Sequence, residues 1–351
     1  MLFLKVIKVM NALSDHPSSS SPSWRYFDGK SVLVTGGTGS FGQSFVRTLL
    51  CSGKPRRLII FSRDEMKQFE MQNELAPHDH NGVLRFFIGD VRDPNRLELA
   101  LRGIDLIVHA AALKQVPIAE YNPFECINTN VLGAEYIVQA ALRCGVQRVI
   151  ALSTDKAASP INLYGASKLA SDKIFIAANN LSGTNGPRFS VVRYGNVMAS
   201  RGSVIPFFKR LAAEGAKTLP ITDTRMTRFW ITLPVAVDFV ASSMEQMIGG
   251  EIFIPKIPSM KVTDLAEAIA PGIPHEIVGI RPGEKLHEVM ITEDDARNTV
   301  ELPDRYVIEP SFGAFDRSKA LQGKPVDENF RYASNTNTQW LDAKILRTML
   351  S

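Results

Sequence analysis

From residue 31 onward the chain alternates short, largely apolar runs with longer segments in which apolar residues recur every three or four positions. The runs are Ser31-Val-Leu-Val-Thr35, Leu58-Ile-Ile-Phe61, Leu84-Arg-Phe-Phe-Ile88, Leu106-Ile-Val-His109, Val149-Ile-Ala-Leu-Ser153 and Phe189-Ser-Val-Val-Arg193. Consecutive apolar, β-branched positions are how strands look when both faces of a parallel sheet are covered. Between them, residues 42–53, 93–102, 123–144 and 164–180 carry helical periodicity. Strands alternating with helices in this way predict an α/β fold, a Rossmann-type doubly wound parallel sheet. Right-handed crossovers then bring the carboxyl ends of the strands to one edge, where ligands bind.

After Arg193 the alternation loosens. Residues 195–228 are loop-rich around a short helix at 206–214, a good amphipathic helix follows at 234–247, and 251–254 predicts one more strand. A helix at 263–269 is expected to be capped by Thr263, with Asp264 in its first turn, and a terminal helix to cover 338–350. The expected division is a dinucleotide-binding domain at 29–195, to which 229–254 returns, and a smaller substrate-binding domain made of 196–228 and 255–351. Residues 1–28 are expected to be a flexible extension. Their apolar start contains Lys5 and Lys8 and no small-residue cleavage site, and Ser14 to Ser23 is rich in Ser and Pro.

Composition narrows the classes. With 351 residues, 45% of them hydrophobic, the chain can bury a large core, which excludes disorder for most of its length. A net charge of +4 without any Lys/Arg block points to phosphate-bearing small molecules and away from nucleic acid. Cys51, Cys126 and Cys144 form no CxxC, so neither a disulfide framework nor a zinc knuckle is expected, and a reducing, cytoplasmic setting fits. No apolar stretch approaches the roughly 20 residues of a membrane span. His78 and His80 lie in a Pro- and Asn-flanked loop without further ligands, so no metal is expected.

The first chemical motif is Thr35-Gly-Gly-Thr-Gly-Ser-Phe-Gly42, directly after a strand and opening a helix. Gly36, Gly39 and Gly42 permit a sharp turn and close helix–sheet packing. The turn residues Thr38, Ser40 and Phe41 complete a loop whose N–H groups can face a pyrophosphate. About twenty residues on, where an Asp or Glu would take the adenosine ribose of NAD, stand Ser62 and Arg63, with Asp64 two places late and Lys67 behind it. Arg63 can stack on adenine or pair with a 2′-phosphate, and Ser62 can donate to that phosphate, so NADP is expected. Asp90 and Val91 follow the third strand at the adenine end. Ala110, Ala111 and Ala112 follow the fourth and leave room for a cofactor against the backbone.

The second motif is Ser153-Thr154-Asp155-Lys156 followed by Tyr164-Gly-Ala-Ser-Lys168. Tyr164 and Lys168, at i and i+4, share one helix face. A phenol near pKa 10 is a poor base, and a neighbouring ammonium, expected to be that of Lys168, stabilises its phenolate. The same Lys can bond the nicotinamide ribose. An acid and a base side by side, Asp155 and Lys156, suggest a second proton transfer beyond what a reductase or epimerase needs.

Together these motifs resemble the extended short-chain dehydrogenase/reductase superfamily. With FSRDE at 61–65, HAAALKQVP at 109–117, NVLGAEYIVQAA at 130–141, YGNVMASRGSVIPFF at 194–208 and RPGEKLHE at 281–288, the chain is similar to the UDP-N-acetylglucosamine 4,6-dehydratases that invert C5, a family known from pseudaminic acid biosynthesis and from capsule sugars. The resemblance runs from about residue 29 to about 300. It implies a lyase in which Tyr164 takes the C4 hydroxyl proton, Thr154 holds the C4 oxygen, a neutral Lys156 removes H5, and a protonated Asp155 donates to the departing C6 hydroxyl. It also implies homo-oligomers, dimers or hexamers. Substrate contacts are expected from Lys114, which also borders the cofactor, from Asn196 and Arg201 after the sixth strand, and from Arg281 and Glu284; Thr227 and Arg228 are further candidates. The alternatives are a C5-retaining dehydratase, a nucleotide-sugar 4-epimerase, or a catalytically silent NADP-binding scaffold or sensor.

Overall fold

The computed structural model describes residues 24–183, 185–198, 200, 202–311 and 318–350. Its centre is a sheet of six parallel strands: β1 (Ser31–Thr35), β2 (Arg57–Ser62), β3 (Leu84–Ile88), β4 (Leu106–His109), β5 (Arg148–Thr154) and β6 (Arg188–Tyr194), in the order 3-2-1-4-5-6. Ile252–Pro255 adds a seventh parallel strand beside β6. Three antiparallel strands follow it outward: Arg305–Ile308, Thr299–Glu301 and Lys324–Pro325. The strand order reverses between β1 and β4, and the crevice beyond their carboxyl ends is where such sheets receive ligands.

Helices cover the sheet because their apolar positions recur on one side. In α1 (Ser40–Ser52), Phe45, Val46 and Leu49 are fully buried. The other covering helices are α2 (Glu65–Leu75), α3 (Pro94–Ala100), α4 (Gly133–Cys144), α5 (Leu163–Ala178) and α6 (Leu233–Gln246). The expected helix at 123–144 is interrupted by a π turn at Asn128–Leu132, a distortion common beside functional sites. There Asn130 accepts a hydrogen bond from Leu113 N (2.8 Å) and donates to Leu113 O (2.9 Å) and to Ser167 Oγ (2.9 Å). This fixes the segment after β4 against α5.

Several expectations are corrected. Of the expected extension 1–28, Trp24, Tyr26 and Phe27 pack against the core. Trp24–Phe27 forms a 3-10 turn whose Phe27 is buried edge-on against Phe45; residues 1–23 lie outside the described residues. The smaller domain does not comprise all of 255–351, because Thr299–Glu301, Arg305–Ile308 and Lys324–Pro325 extend the main sheet. Of 229–254, the helix Leu233–Gln246 and the strand Ile252–Pro255 return to the main sheet, whereas Thr227–Ile231 pairs with Asn196–Val197 and Ser259–Lys261 in a separate three-stranded sheet. The helix expected from 263 begins at Val262, so Thr263 lies inside its first turn, and Lys261 at the cap makes no side-chain hydrogen bond. The terminal helix is Ala343–Leu350, shorter than 338–350. No helix among the described residues is long and apolar enough to cross a membrane.

Candidate active site

A cleft of about 1210 Å³ runs along the carboxyl edge of the sheet. Its walls collect nearly all the expected residues. At one end lie Gly36, Thr38, Gly39, Ser40, Phe41 and Gly42, with Ser62, Arg63, Lys67, Asp90 and Val91. Ala110, Ala111, Ala112 and Lys114 line the middle. Thr154, Lys156, Tyr164 and Lys168 lie beyond them, and Asn196, Arg281 and Glu284 close the far side. Arg201 lies outside the described residues. Asp155 and Thr227 are exceptions, for both are buried and neither lines the cleft.

The glycine turn is shaped by contact. Gly36 has φ +63°, and a Cβ there would come within 2.8 Å of Ala111 N; one at Gly42 would meet Gly37 Cα at 2.5 Å. Bare backbone therefore faces the cleft at the N-terminus of α1, whose cap residue Gly39 offers no side-chain partner. Thr38 Oγ1 donates to Ser62 Oγ (3.1 Å), and Gln68 donates to Ser62 O and Phe87 O, both at 3.0 Å, bracing the end of β2. Arg63 lies 3.5 Å from Asp90, which Arg92 also holds at 2.7 Å. Burial works to raise the Asp90 carboxyl, but the Arg92 hydrogen bonds and charge leave it below the usual range. Lys67 is drawn to Asp64.

At the reaction end, Thr154 Oγ1 donates to Asp155 Oδ1 (2.9 Å), and Lys156 Nζ sits 3.0 Å from the same oxygen and 3.2 Å from Glu288 Oε1. Asp155 Oδ2 is buried without a partner. Gly165 lets the first turn of α5 press on this loop, since a Cβ there would lie 2.2 Å from Lys156 O. Burial raises the Asp155 carboxyl. Burial lowers Lys156, but the Asp155 and Glu288 charges outweigh it and the amine ends above its ordinary value. These charges favour an ammonium at Lys156, contrary to the expected neutral amine. Burial pushes the Tyr164 phenol up to about 12, and the cation opposing that rise is Lys156 in place of the expected Lys168. Lys168 is itself lowered by burial, against the Asp172 carboxylate.

Beneath them Asp172 accepts from Ser153 Oγ (2.8 Å) and pairs with Arg193 (3.3 Å), whose guanidinium also donates to Met290 O (3.0 Å). Burial raises the Asp172 carboxyl against those partners. On the far wall Arg281 lies 3.9 Å from Glu284, one of whose oxygens is buried and unpartnered. Arg228 is held by the carbonyls of Thr227 (2.7 Å), Lys285 (3.0 Å) and Leu286 (3.2 Å).

Residues 32–310 match the family described as polysaccharide biosynthesis protein. The chain belongs to that family. Within it, an inverting UDP-N-acetylglucosamine 4,6-dehydratase of Campylobacter jejuni is 54% identical over 332 residues, 93% of this chain and 98% of the relative. A UDP-glucose 4-epimerase of Rickettsia canadensis is 42% identical, covering 80% of this chain and 83% of its own. Among solved structures, Pen from Bacillus thuringiensis superposes with a TM-score of 0.83 at 36% identity, over 93% of this chain and 99% of that one. DesIV, a dTDP-glucose 4,6-dehydratase from Streptomyces venezuelae with NAD and TYD bound, superposes with a TM-score of 0.65 at 28% identity, over 73% and 86%. The similarity to inverting dehydratases and the Rossmann-type fold are both as expected from the motifs.

Three features of this family member were not assigned from its sequence. Glu288 ends the RPGEKLHE segment, where Arg281 and Glu284 drew attention, yet it is the acid that reaches Lys156. Its signal is a carboxylate set immediately before the apolar Val289-Met-Ile291. Asp172 and Arg193 form a buried pair from α5 and β6 that only the tertiary structure brings together. Arg210, on the helix Val204–Ala213, adds a cation to the far wall.

Proposed function

We propose that the protein is a UDP-N-acetylglucosamine 4,6-dehydratase that inverts C5, forming UDP-2-acetamido-2,6-dideoxy-β-L-arabino-hexos-4-ulose with NADP as its dinucleotide. The observation that carries this is the lysine at the cleft, Lys156, bonded to the buried acid Asp155 and one loop away from Tyr164. The relative so named is 54% identical, against 42% for the epimerase.

The cleft fits a dinucleotide, because the Gly36 turn has no room for a side chain and leaves backbone N–H groups facing it. The turn and the start of α1 would hold the pyrophosphate, Ser62 and Arg63 the 2′-phosphate, and Tyr164 with Lys168 the nicotinamide ribose. A nicotinamide bound there would supply the redox chemistry, accepting hydride from C4 and returning it to C6.

The chain's own groups move the protons. Tyr164 removes the C4 hydroxyl proton while Thr154 holds that oxygen, and the resulting ketone acidifies H5. Lys156 must be uncharged to take H5. Moving one proton 3.0 Å from Nζ to Asp155 Oδ1 creates a neutral amine and a carboxylic acid together and leaves the net charge of the cluster unchanged. After H5 passes to Nζ, the C6 hydroxyl leaves as water with a proton from Asp155. That proton passes through Thr154 or Lys156, the cleft-lining groups hydrogen-bonded to Oδ1. A proton from solvent, delivered to C5 on the opposite face, completes the inversion. Arg281, Glu284 and Asn196 are assigned to the nucleotide, with Lys114 bordering the sugar.

The test is product identity by NMR after incubation with UDP-N-acetylglucosamine. A 6-deoxy-4-keto sugar of L-arabino configuration is expected. A C4 epimer would replace the assignment with an epimerase, retained C5 would remove the inversion, and no turnover despite cofactor binding would leave a silent scaffold.

A further inference from the structure

Glu288 has no part in the steps above, yet it is among the most deliberately held carboxylates in the protein. It is 1% exposed. Its N–H is bonded by Ser334 Oγ (2.9 Å) and its carbonyl accepts from Ser334 N (2.8 Å), so Ser334 clamps the backbone on both sides. Oε1 lies 3.2 Å from Lys156 Nζ and 3.7 Å from Arg228 Nε, and Oε2 lies 4.0 Å from Lys285 Nζ without a hydrogen-bond partner. Burying an ionised carboxylate is costly unless cations compensate. Arg228 and Lys285 supply that compensation from fixed positions, Arg228 through its three carbonyl partners and Lys285 through Ala158 O (2.6 Å). Burial works to raise the Glu288 carboxyl, but the charges of Lys156, Arg228 and Lys285 bring it below the usual range. Two fixed cations therefore go on favouring its charged form when Lys156 is neutral.

We propose that Glu288 is a positioning residue, which holds the Lys156 amine between two carboxylates and stabilises the ammonium that forms when that amine takes the C5 proton. The inference rests on the dehydratase assignment. Before the transfer Lys156 is neutral and Asp155 carries the proton; afterwards Nζ is positive, 3.2 Å from a carboxylate already in place. Such a preset charge favours the state in which charge develops. The other ionisable groups facing Lys156 are Asp155, Tyr164, Arg228 and Lys285; Arg193 faces Lys285 in turn, while His287 turns away to bond Thr227. Removing the Glu288 charge lets both Lys156 and Asp155 lose protons more easily, so the pair should give up its last proton at lower pH.

The experiment compares wild type, Glu288→Gln and Glu288→Asp as cofactor-loaded protein. The first readout needs no turnover: the ε-carbon signal of Lys156, assigned with Lys156→Arg, should keep its ammonium shift to higher pH in wild type than in Glu288→Gln. The second is H5 exchange with D2O in UDP-N-acetylglucosamine. It should fall by about tenfold or more in Glu288→Gln, one pKa unit or more in equivalent, and its alkaline limb should move to lower pH with KM little changed. Glu288→Asp, which keeps the charge one methylene further back, should recover part of both; if Gln at 288 prevents folding, the Asp variant is read in its place, with a smaller shift in the same directions. An unchanged Lys156 titration overturns the inference, and so does an unmoved exchange limb. If wild type itself gives no exchange, the dehydratase assignment fails, and the titration alone decides whether Glu288 governs Lys156.

Discussion

Asn162 joins Gly283 to the reaction helix with the two ends of a single amide. Its Nδ2 donates to Gly283 O (2.7 Å), in the loop that carries Arg281 and Glu284, while its Oδ1 accepts from Gly165 N (2.7 Å) and caps α5 just ahead of Tyr164. The far wall and the helix that presents the phenol are thereby set against each other. Replacing the cap costs about 0.5–2 kcal/mol of stability. Asn162→Ala should lose that much by urea unfolding and should also raise KM for the nucleotide sugar several-fold. A stability loss with unchanged KM would show that the bond to Gly283 is only structural.

At Gly36 the left-handed backbone and the 2.8 Å approach to Ala111 N leave no place for a methyl group. An L-residue in this conformation is strained by about 1–2 kcal/mol, before any clash is counted. Gly36→Ala should therefore fold with a lowered melting temperature and bind the dinucleotide at least about tenfold more weakly, as measured by calorimetry. Wild-type affinity would mean that the turn is not the phosphate cradle.

Much of this was legible in the chain because the determinants are local. Six apolar runs and the glycine turn announce a parallel sheet with a dinucleotide edge, and Tyr164 and Lys168 are neighbours by helix geometry alone. Protonation was less legible. The charge on Lys156 depends on Glu288, 132 positions away in the numbering, and no periodicity links them. The burial of Asp155 likewise comes from the loop folding beneath Lys156 and Thr154. The sheet membership of the later strands was illegible for a similar reason. Arg305–Ile308 could pair with any exposed edge, and that it returns to Ile252–Pro255 is decided by tertiary contacts.

Under the proposed NADP assignment Arg63 is the cation that would meet the 2′-phosphate, since it lies 3.5 Å from Asp90 where Arg92 lies at 2.7 Å, and Lys67 is drawn to Asp64. Arg63→Ala should weaken NADP binding by about tenfold, the order expected for losing one charge-assisted contact, and change NAD binding little. Equal losses for both dinucleotides would place Arg63 on the adenine and remove the argument for NADP.

Asp238 on α6 receives a hydrogen bond from Trp24, yet burial pushes its carboxyl up to about 6. A carboxyl whose folded pKa is raised binds its proton more tightly in the folded state. Its contribution to stability is complete below the unfolded value near 4 and is lost as pH rises through about 6. Asp238→Asn should therefore be more stable than wild type at pH 8, on the order of 1–2 kcal/mol after allowance for partial exposure. The gap should close toward pH 4, as followed by thermal unfolding across that range. A variant equally destabilised at every pH would show that Asp238 matters for packing alone.

The most direct test of the chemistry is the fate of H5 when UDP-N-acetylglucosamine is incubated in D2O with wild type and with Lys156→Ala. Wild type should release H5 to solvent and yield a product carrying deuterium at C5 in the L-arabino configuration, and the variant should bind dinucleotide and sugar yet leave H5 in place. Exchange at the wild-type rate in Lys156→Ala would contradict the assignment of Lys156 as the base.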